Sequence, residues 1–96
     1  MVEPSSRDLH PRTGARFVFE RDEGEPPRYA VTIYLPGSRR WSGRLAWTEA
    51  GAAELDPAEG EAAPEDQELA WAHTEALKLA RVLRRDPKQH MVRWRG

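Results

Sequence analysis

Two tryptophans and three arginines lie close together in the stretch RRWSGRLAW, which runs from Arg39 to Trp47. Indole rings stack on bases, and guanidinium groups bind phosphate, so this composition is typical of a nucleic-acid platform. It is also typical of a strand whose tryptophans lie in the core. Strand alternation favours the core, because Trp41 and Trp47 share a face with Leu45. We expect Leu45 and Trp47 to be buried and Trp41 to be partly exposed at the end of the sheet.

The residues that most often perform acid–base or metal chemistry are scattered along the chain. The three histidines, His10, His73 and His90, fall in different regions, and none has a partner at metal-ligand spacing. The chain has no cysteine, which excludes disulfides, thiolate catalysis and cysteine-based zinc sites. It also has no glycine-rich phosphate loop and no nucleophile elbow. We therefore predict a protein that is not an enzyme, with no catalytic residue, no bound metal and no cofactor.

Charge is distributed in blocks along the chain, although the formal net charge is only −1. Residues 28–47 carry four arginines and no acid, and residues 49–75 carry nine acids and no base. Residues 76–96 carry seven bases and one acid. A net charge near zero gives no overall attraction to nucleic acid or to acidic membranes. The blocks nevertheless provide local surfaces of either sign.

Long apolar segments are absent from the sequence. No stretch approaches the eighteen or so apolar residues that a membrane span needs. The first fifteen residues contain no apolar run of the kind that signal peptides carry. We expect a cytoplasmic protein with no membrane partner, and nothing in the sequence indicates a small-molecule ligand.

Alternating apolar and polar residues predict the strands that position these side chains. The runs RFVFER, RYAVTIYLP and WSGRLAWT each alternate with a period of two residues. Their short connections imply an antiparallel meander. Residues 53–55 can add a brief fourth strand, and QHMVRWRG at the end of the sequence predicts one more short strand, with Val92 and Trp94 on one side.

An amphipathic helix is predicted from about Pro64 to Arg85. Acids in its first turn and bases in its last turn complement the helix dipole, and the Asp86–Pro87 pair ends it. Its apolar stripe consists of Leu69, Ala72, Ala76, Leu79, Ala80 and Leu83. Small alanines in this stripe allow the large residues of the sheet to approach the helix closely.

These elements predict an α+β fold. The sheet is mainly antiparallel with three to five strands, and one long helix from the C-terminal half packs on one face, in the order β-β-β-(β)-α-β. Residues 1–15 are predicted to form a flexible arm. Residues 16–96 are predicted to form one domain, with an acidic mobile linker at about 56–64.

A single helix leaves the second face of the sheet uncovered, and that face is the candidate site. It is flat and weakly charged, which suits a homodimer or another protein partner. The candidate contacts on this face are Thr32, Tyr34, Ser42 and Arg44. Trp71, opposite the helix stripe, and Trp94, near the end of the sequence, are predicted to be exposed aromatic contacts. The N-terminal arm is the other candidate to cover the face.

The alternative is a nucleic-acid-binding regulatory domain that uses the bases of the C-terminal third. Its candidate phosphate contacts are Arg81, Arg84, Arg85, Lys88, Arg93 and Arg95. Three strands followed by a helix resemble the second part of a double-stranded-RNA-binding domain, which carries lysines where that helix begins. Here the helix begins with PEDQE, whose charge repels phosphate. A small interaction or assembly module of unknown process is therefore the favoured hypothesis.

Overall fold

The chain forms one five-stranded antiparallel sheet and one helix. The computed structural model describes residues 13–22, 24, 27–37, 39–61 and 66–95. The elements are β1 (Ala15–Arg21), β2 (Tyr29–Leu35), β3 (Arg39–Trp47), β4 (Ala53–Pro57), α1 (Gln67–Arg85) and β5 (His90–Arg95). The spatial order of the strands is β4-β3-β2-β1-β5. The predicted α+β class and element order are confirmed, with five strands.

The first four strands form a meander, and the last strand pairs with the free edge of β1. β1, β2, β3 and β4 each pair with the next strand in the chain, and β5 returns to pair with β1. The helix therefore connects the two edge strands. In α1, Gln67 is the first residue and Asp66 is the N-cap. The predicted start near Pro64 lies outside the described residues.

The core lies between one face of the sheet and the alanine-rich side of α1. Period-two alternation places the large buried residues of the strands on this face: Phe17, Phe19, Tyr29, Val31, Ile33, Leu35, Trp41, Leu45, Leu55 and Met91. The helix presents Ala72, Ala76 and Ala80, which are fully buried, with Leu79 and Leu83 beside them. Large side chains thus pack against small ones, as the alanine spacing predicts.

Burial of the two β3 tryptophans is the reverse of the prediction. Trp41 is only 2 % exposed, whereas Trp47 is half-buried. Gly43 explains the difference, because a Cβ atom there would lie 2.5 Å from the Trp41 ring and 2.6 Å from the Asp56 carbonyl oxygen. The missing side chain leaves room for the indole of Trp41, which also meets His73 of the helix edge to face at 5.7 Å.

Polar contacts fix both ends of the helix to the sheet. At the start, the Asp66 carboxylate accepts a hydrogen bond from the Leu69 amide at 2.8 Å and pairs with the Arg39 guanidinium of β3. At the end, Arg84 donates to the Gly51 carbonyl at 2.9 Å. After the helix, the Tyr29 hydroxyl donates to the Lys88 carbonyl at 2.7 Å. The helix is therefore held in one position along the strands.

Two segments that were predicted to be mobile lie partly outside the described residues. The last residue of the predicted arm, Ala15, is buried in β1, and residues 1–12 are not described. In the predicted linker, Asp56 and Pro57 belong to β4, and the Ala58 amide then donates to the Ser42 carbonyl at 3.0 Å. Residues 62–65 are not described, and the mobility of the linker stays a prediction.

Within the residues that the structure describes, no helix combines the length and the apolar character that crossing a bilayer requires.

Overpacking the helix–sheet contact tests the core. Ala76→Leu adds bulk at a fully buried position, and we expect it to lower the free energy of unfolding by about 1–3 kcal/mol. Chemical denaturation measures this change. Thr74→Leu, which adds bulk at an exposed position of the same helix, is the control and leaves the stability nearly unchanged. Equal stability of the Ala76→Leu variant and the wild type would contradict close packing of α1 on the sheet.

Acid titration tests the helix start. The hydrogen bond from the Leu69 amide, helped by Arg39, lowers the pKa of the Asp66 carboxyl below its ordinary value of 3.8. A lowered folded-state pKa stabilises the fold above the unfolded value, and that stability is lost as the pH falls through the folded value. Asp66→Asn keeps a capping oxygen but removes the charge.

We expect the difference in melting temperature between the wild type and Asp66→Asn to be constant above pH 3.8 and to shrink below it. Thermal melts between neutral and acidic pH measure it. A difference that stays constant throughout the acidic range would show that the charge of Asp66 does not stabilise the helix.

Candidate functional site

The face of the sheet opposite α1 carries the candidate site, which we call the open face. Its side chains are half-buried or exposed, and no described element packs on it. The register of the five strands arranges these side chains in rows that run across the sheet. Three of these rows define the chemistry of the face.

The first row alternates aromatic and basic side chains across four strands. Strand pairing places Trp94, Arg16, Tyr34 and Arg40 side by side, from β5 through β1 and β2 to β3. The guanidinium carbon of Arg16 lies 5.3 Å from the Tyr34 ring centre and 5.5 Å from the Trp94 ring centre. Both are cation–π distances, so two aromatic rings stabilise the positive charge of Arg16. We call this set the aromatic–arginine row.

Trp94 is the most exposed large apolar side chain of the described residues, at 54 %. It contacts the Arg16 guanidinium through its ring and leaves the rest of the indole in solvent. A partly exposed indole beside a cation provides a large contact area at low entropic cost, which is the usual chemistry of an interface anchor.

The second row is small and uncharged. Val92, Val18, Thr32 and Ser42 follow one another across β5, β1, β2 and β3, and all four are half-buried. Side chains of this size leave the centre of the open face flat. We call this set the central row.

The third row contains charged side chains of both signs. His90, Glu20, Ala30, Arg44 and Asp56 follow one another across all five strands, and we call this set the charged row. The His90 Nδ1 atom lies 3.6 Å from a Glu20 carboxylate oxygen, and Arg44 is directly opposite Asp56 in the register. The two sides of the central row therefore differ: arginines and aromatics lie on one side, and Glu20 and Asp56 lie with Arg44 on the other.

Four of the predicted partner contacts are placed on this one face. Thr32 and Ser42 are neighbours in the central row, and Tyr34 and Arg44 flank them in the outer rows. Trp94 joins the same face, but Trp71 does not, because it lies 37 % exposed on the outer side of the helix. The two tryptophans therefore cannot contact one ligand together on the open face.

The six bases of the alternative hypothesis are divided between distant places. Arg81, Arg84 and Arg85 lie at the end of the helix. Arg93 and Arg95 belong to the far part of β5, opposite Phe17 and Ala15. Gln89, beside Lys88, bonds through its carbonyl to the amide of Arg21 at the other end of β1. Six strand steps separate Gln89 from Arg95, which is roughly 20 Å, so the six bases do not form one continuous patch.

Sequence reasoning missed the roles of Arg16 and Glu20. Alternation placed both on the outer face of β1, but their neighbours come from β5, seventy residues later in the chain. Local patterns do not indicate that pairing. The cation over Trp94 belongs to β1, so the sequence around Trp94 gives no signal of it.

Histidines and carboxylates are not gathered into a metal centre in the part of the chain that the structure describes. The ring nitrogen Nε2 of His73 donates to the Leu55 carbonyl at 2.8 Å, which uses this group to join the helix to β4. Comparison with family models, curated proteins and solved structures finds no match to this chain.

Proposed function

We propose that this domain is a small, non-enzymatic interaction module of the cytoplasm that associates with a second copy of itself through the open face. The observation that supports this function most strongly is the polarised arrangement of the three rows. Flat, weakly charged sheet faces bury well against one another, and a self-complementary patch is what a two-fold dimer requires. A second copy fits the charges of this face, as the pairing below shows.

A two-fold axis along the central row makes the face complementary to itself. Rotation by 180° about that axis lays each strand over its own copy and exchanges the two outer rows. Arg16 then faces Glu20 of the second copy, since both are two residues from Val18 in β1. In β2, Tyr34 faces Ala30, so that a large side chain meets a small one.

β3 is the exception in this arrangement. Arg40 of one copy faces Arg44 of the other, which is a contact between like charges. Asp56 lies beside Arg44 in the register and offsets the repulsion. Aligned sheets also pack with a rotation of about 30°, which displaces the side chains at the edges more than those near the axis. The pairing in β1 and β2 therefore dominates the contact.

The size of the face sets the strength of the dimer. Four strand spacings and six strand steps give a face of roughly 19 by 20 Å, or about 400 Å² per copy. An interface built from two such faces buries about 800 Å² in total, which is below the roughly 1,000 Å² of stable specific complexes and typical of weak, transient ones. We therefore expect an association that depends on protein concentration.

Single-stranded nucleic acid is the competing occupant of the same face. Aromatic rings beside arginines are typical of surfaces on which bases stack. Glu20 and Asp56 of the charged row lie about 13 Å from that row, so a nucleic-acid strand that extends along the face meets carboxylates that repel its phosphates. The face therefore favours a partner that carries both signs of charge.

Charge reversal at Arg16 and Glu20 tests the two-fold arrangement. Arg16→Glu alone places two carboxylates together at each of two symmetric contacts, and Glu20→Arg alone places two guanidiniums together. We expect each variant to be monomeric at concentrations where the wild type dimerises. An equimolar mixture of the two variants forms a heterodimer, because each contact then joins opposite charges. Sedimentation velocity measures all three samples.

Glutamates on the axis provide an independent variant. Thr32→Glu with Ser42→Glu brings like charges together at the centre of the dimer, and we expect it to prevent association without unfolding the domain. Thr74→Glu on the exposed side of the helix is the matched control and leaves the dimer intact.

A wild type that stays monomeric at millimolar concentration would overturn the proposal. Two assays then identify the occupant. A shift of labelled single-stranded oligonucleotide that Trp94→Ala abolishes would assign the face to nucleic acid. A monomeric wild type that shifts no oligonucleotide, together with a Thr32→Cys thiol that reacts slowly with a maleimide, would assign the face to the residues that precede β1.

A further inference from the structure

A depression with two compartments lies at the end of α1, on the side of the sheet that carries the helix. The larger compartment is a groove of about 710 Å³ that is lined by Trp47, Gly51, Ala52, Ala53, Leu77, Arg81, Arg84 and Arg85. The smaller is an apolar pocket of about 340 Å³ that is lined by Pro27, Trp47, Thr48, Glu49, Leu83, Arg84 and Pro87. Each volume falls in the range of ligand sites in proteins.

Trp47 and Arg84 line both compartments, so the two form one site. Arg84 is fixed there, because its guanidinium donates to the Gly51 carbonyl at 2.9 Å. It lies so close to the turn that a Cβ atom on Gly51 would be 2.3 Å from both of its terminal nitrogens. The turn between β3 and β4 thus positions a cation between the groove and the pocket.

The charge of the groove is positive. Arg81, Arg84 and Arg85 fall within about 100° of one side of the helix and span roughly 6 Å along its axis. None of the three forms an ion pair within the described residues. Among the described residues, Glu49 is the only acid that lines either compartment.

Complementation of the helix dipole explains only part of this cluster. The dipole places about half a negative charge at the end of the helix, where Arg84 and Arg85 of the last turn are favourable. Three guanidiniums exceed that half charge several-fold. The dipole also gives no reason for Trp47 and Leu77 to stay partly uncovered beside the arginines.

We propose that this depression binds an acidic peptide segment of another protein, in which two carboxylates and one large apolar side chain occupy alternate positions, so that all three point the same way. The apolar side chain enters the pocket beside Trp47 and Leu83, and the carboxylates contact the arginines of the groove. In an extended peptide, residues i and i+2 are about 6.6 Å apart and point the same way, which matches the span of the arginines. The site is on the opposite side of the sheet from the open face and does not depend on the dimer.

Fluorescence anisotropy of a labelled hexapeptide, glutamate-glycine-glutamate-glycine-phenylalanine-glycine, tests the site. We expect saturable binding to the full-length wild type that weakens as salt is added, because the contacts are exposed charges. Arg81→Gln with Arg85→Gln weakens binding by about tenfold. The matched control, Arg93→Gln with Arg95→Gln, removes the same charge from residues outside both compartments and leaves binding within about twofold.

A variant that binds the peptide more tightly tests the site independently of folding, because a misfolded protein loses affinity and does not gain it. Glu49→Gln removes the one acid of the lining, and we expect it to tighten peptide binding by about two- to threefold. Glu54→Gln, an exposed acid of β4 outside both compartments, is its control and has no effect.

Three results would overturn the proposal. The first is equal affinity for a peptide in which glycine replaces phenylalanine, since the pocket would then be unused. The second is a Glu49→Gln variant that binds no tighter than Glu54→Gln. The third is an oligonucleotide that binds the same arginines more tightly than the peptide, which would assign the groove to nucleic acid.

Discussion

One helix has to cover the apolar face of five strands, and the rest of the structure depends on how it does so. Alanines at positions 72, 76 and 80 let α1 approach the sheet until Phe17, Tyr29 and Ile33 are fully buried. Hydrogen bonds at both ends of the helix fix its position along the strands. All large apolar residues of β1–β4 face this contact, so that the opposite face is left with small, charged and half-buried side chains.

The two proposed surfaces are consequences of that division. The open face exists because no second described layer packs on it, and its charge polarity arises from the register of β1 with β2 and β5. The groove exists because the helix ends beside the β3–β4 turn, where Gly51 admits the Arg84 guanidinium and Trp47 extends past the buried core. Charges that alternate in blocks along the sequence are thereby sorted onto different sides of one small domain.

Much of the fold could be predicted from the sequence, since period-two alternation and the alanine stripe are local signals. They identified β1–β3, the helix and the buried face of each strand correctly. The burial of Trp41 and Trp47 was reversed because it depends on Gly43 and on where the helix ends, which are tertiary facts. The candidate site was half predictable: Thr32, Tyr34, Ser42 and Arg44 follow from alternation. Arg16 between Tyr34 and Trp94 depends on the non-local pairing of β1 with β5.

The central claim is that two open faces meet across a two-fold axis, and site-specific cross-linking tests it most directly. The chain has no cysteine, so a single introduced thiol reports one position. Thr32→Cys lies on the proposed axis, and Thr74→Cys lies on the outer side of the helix. With a short bismaleimide, the account predicts rapid cross-linking of Thr32→Cys into a covalent dimer and only slow collisional cross-linking of Thr74→Cys. Equal rates for the two variants, at concentrations where the protein is associated, would contradict it.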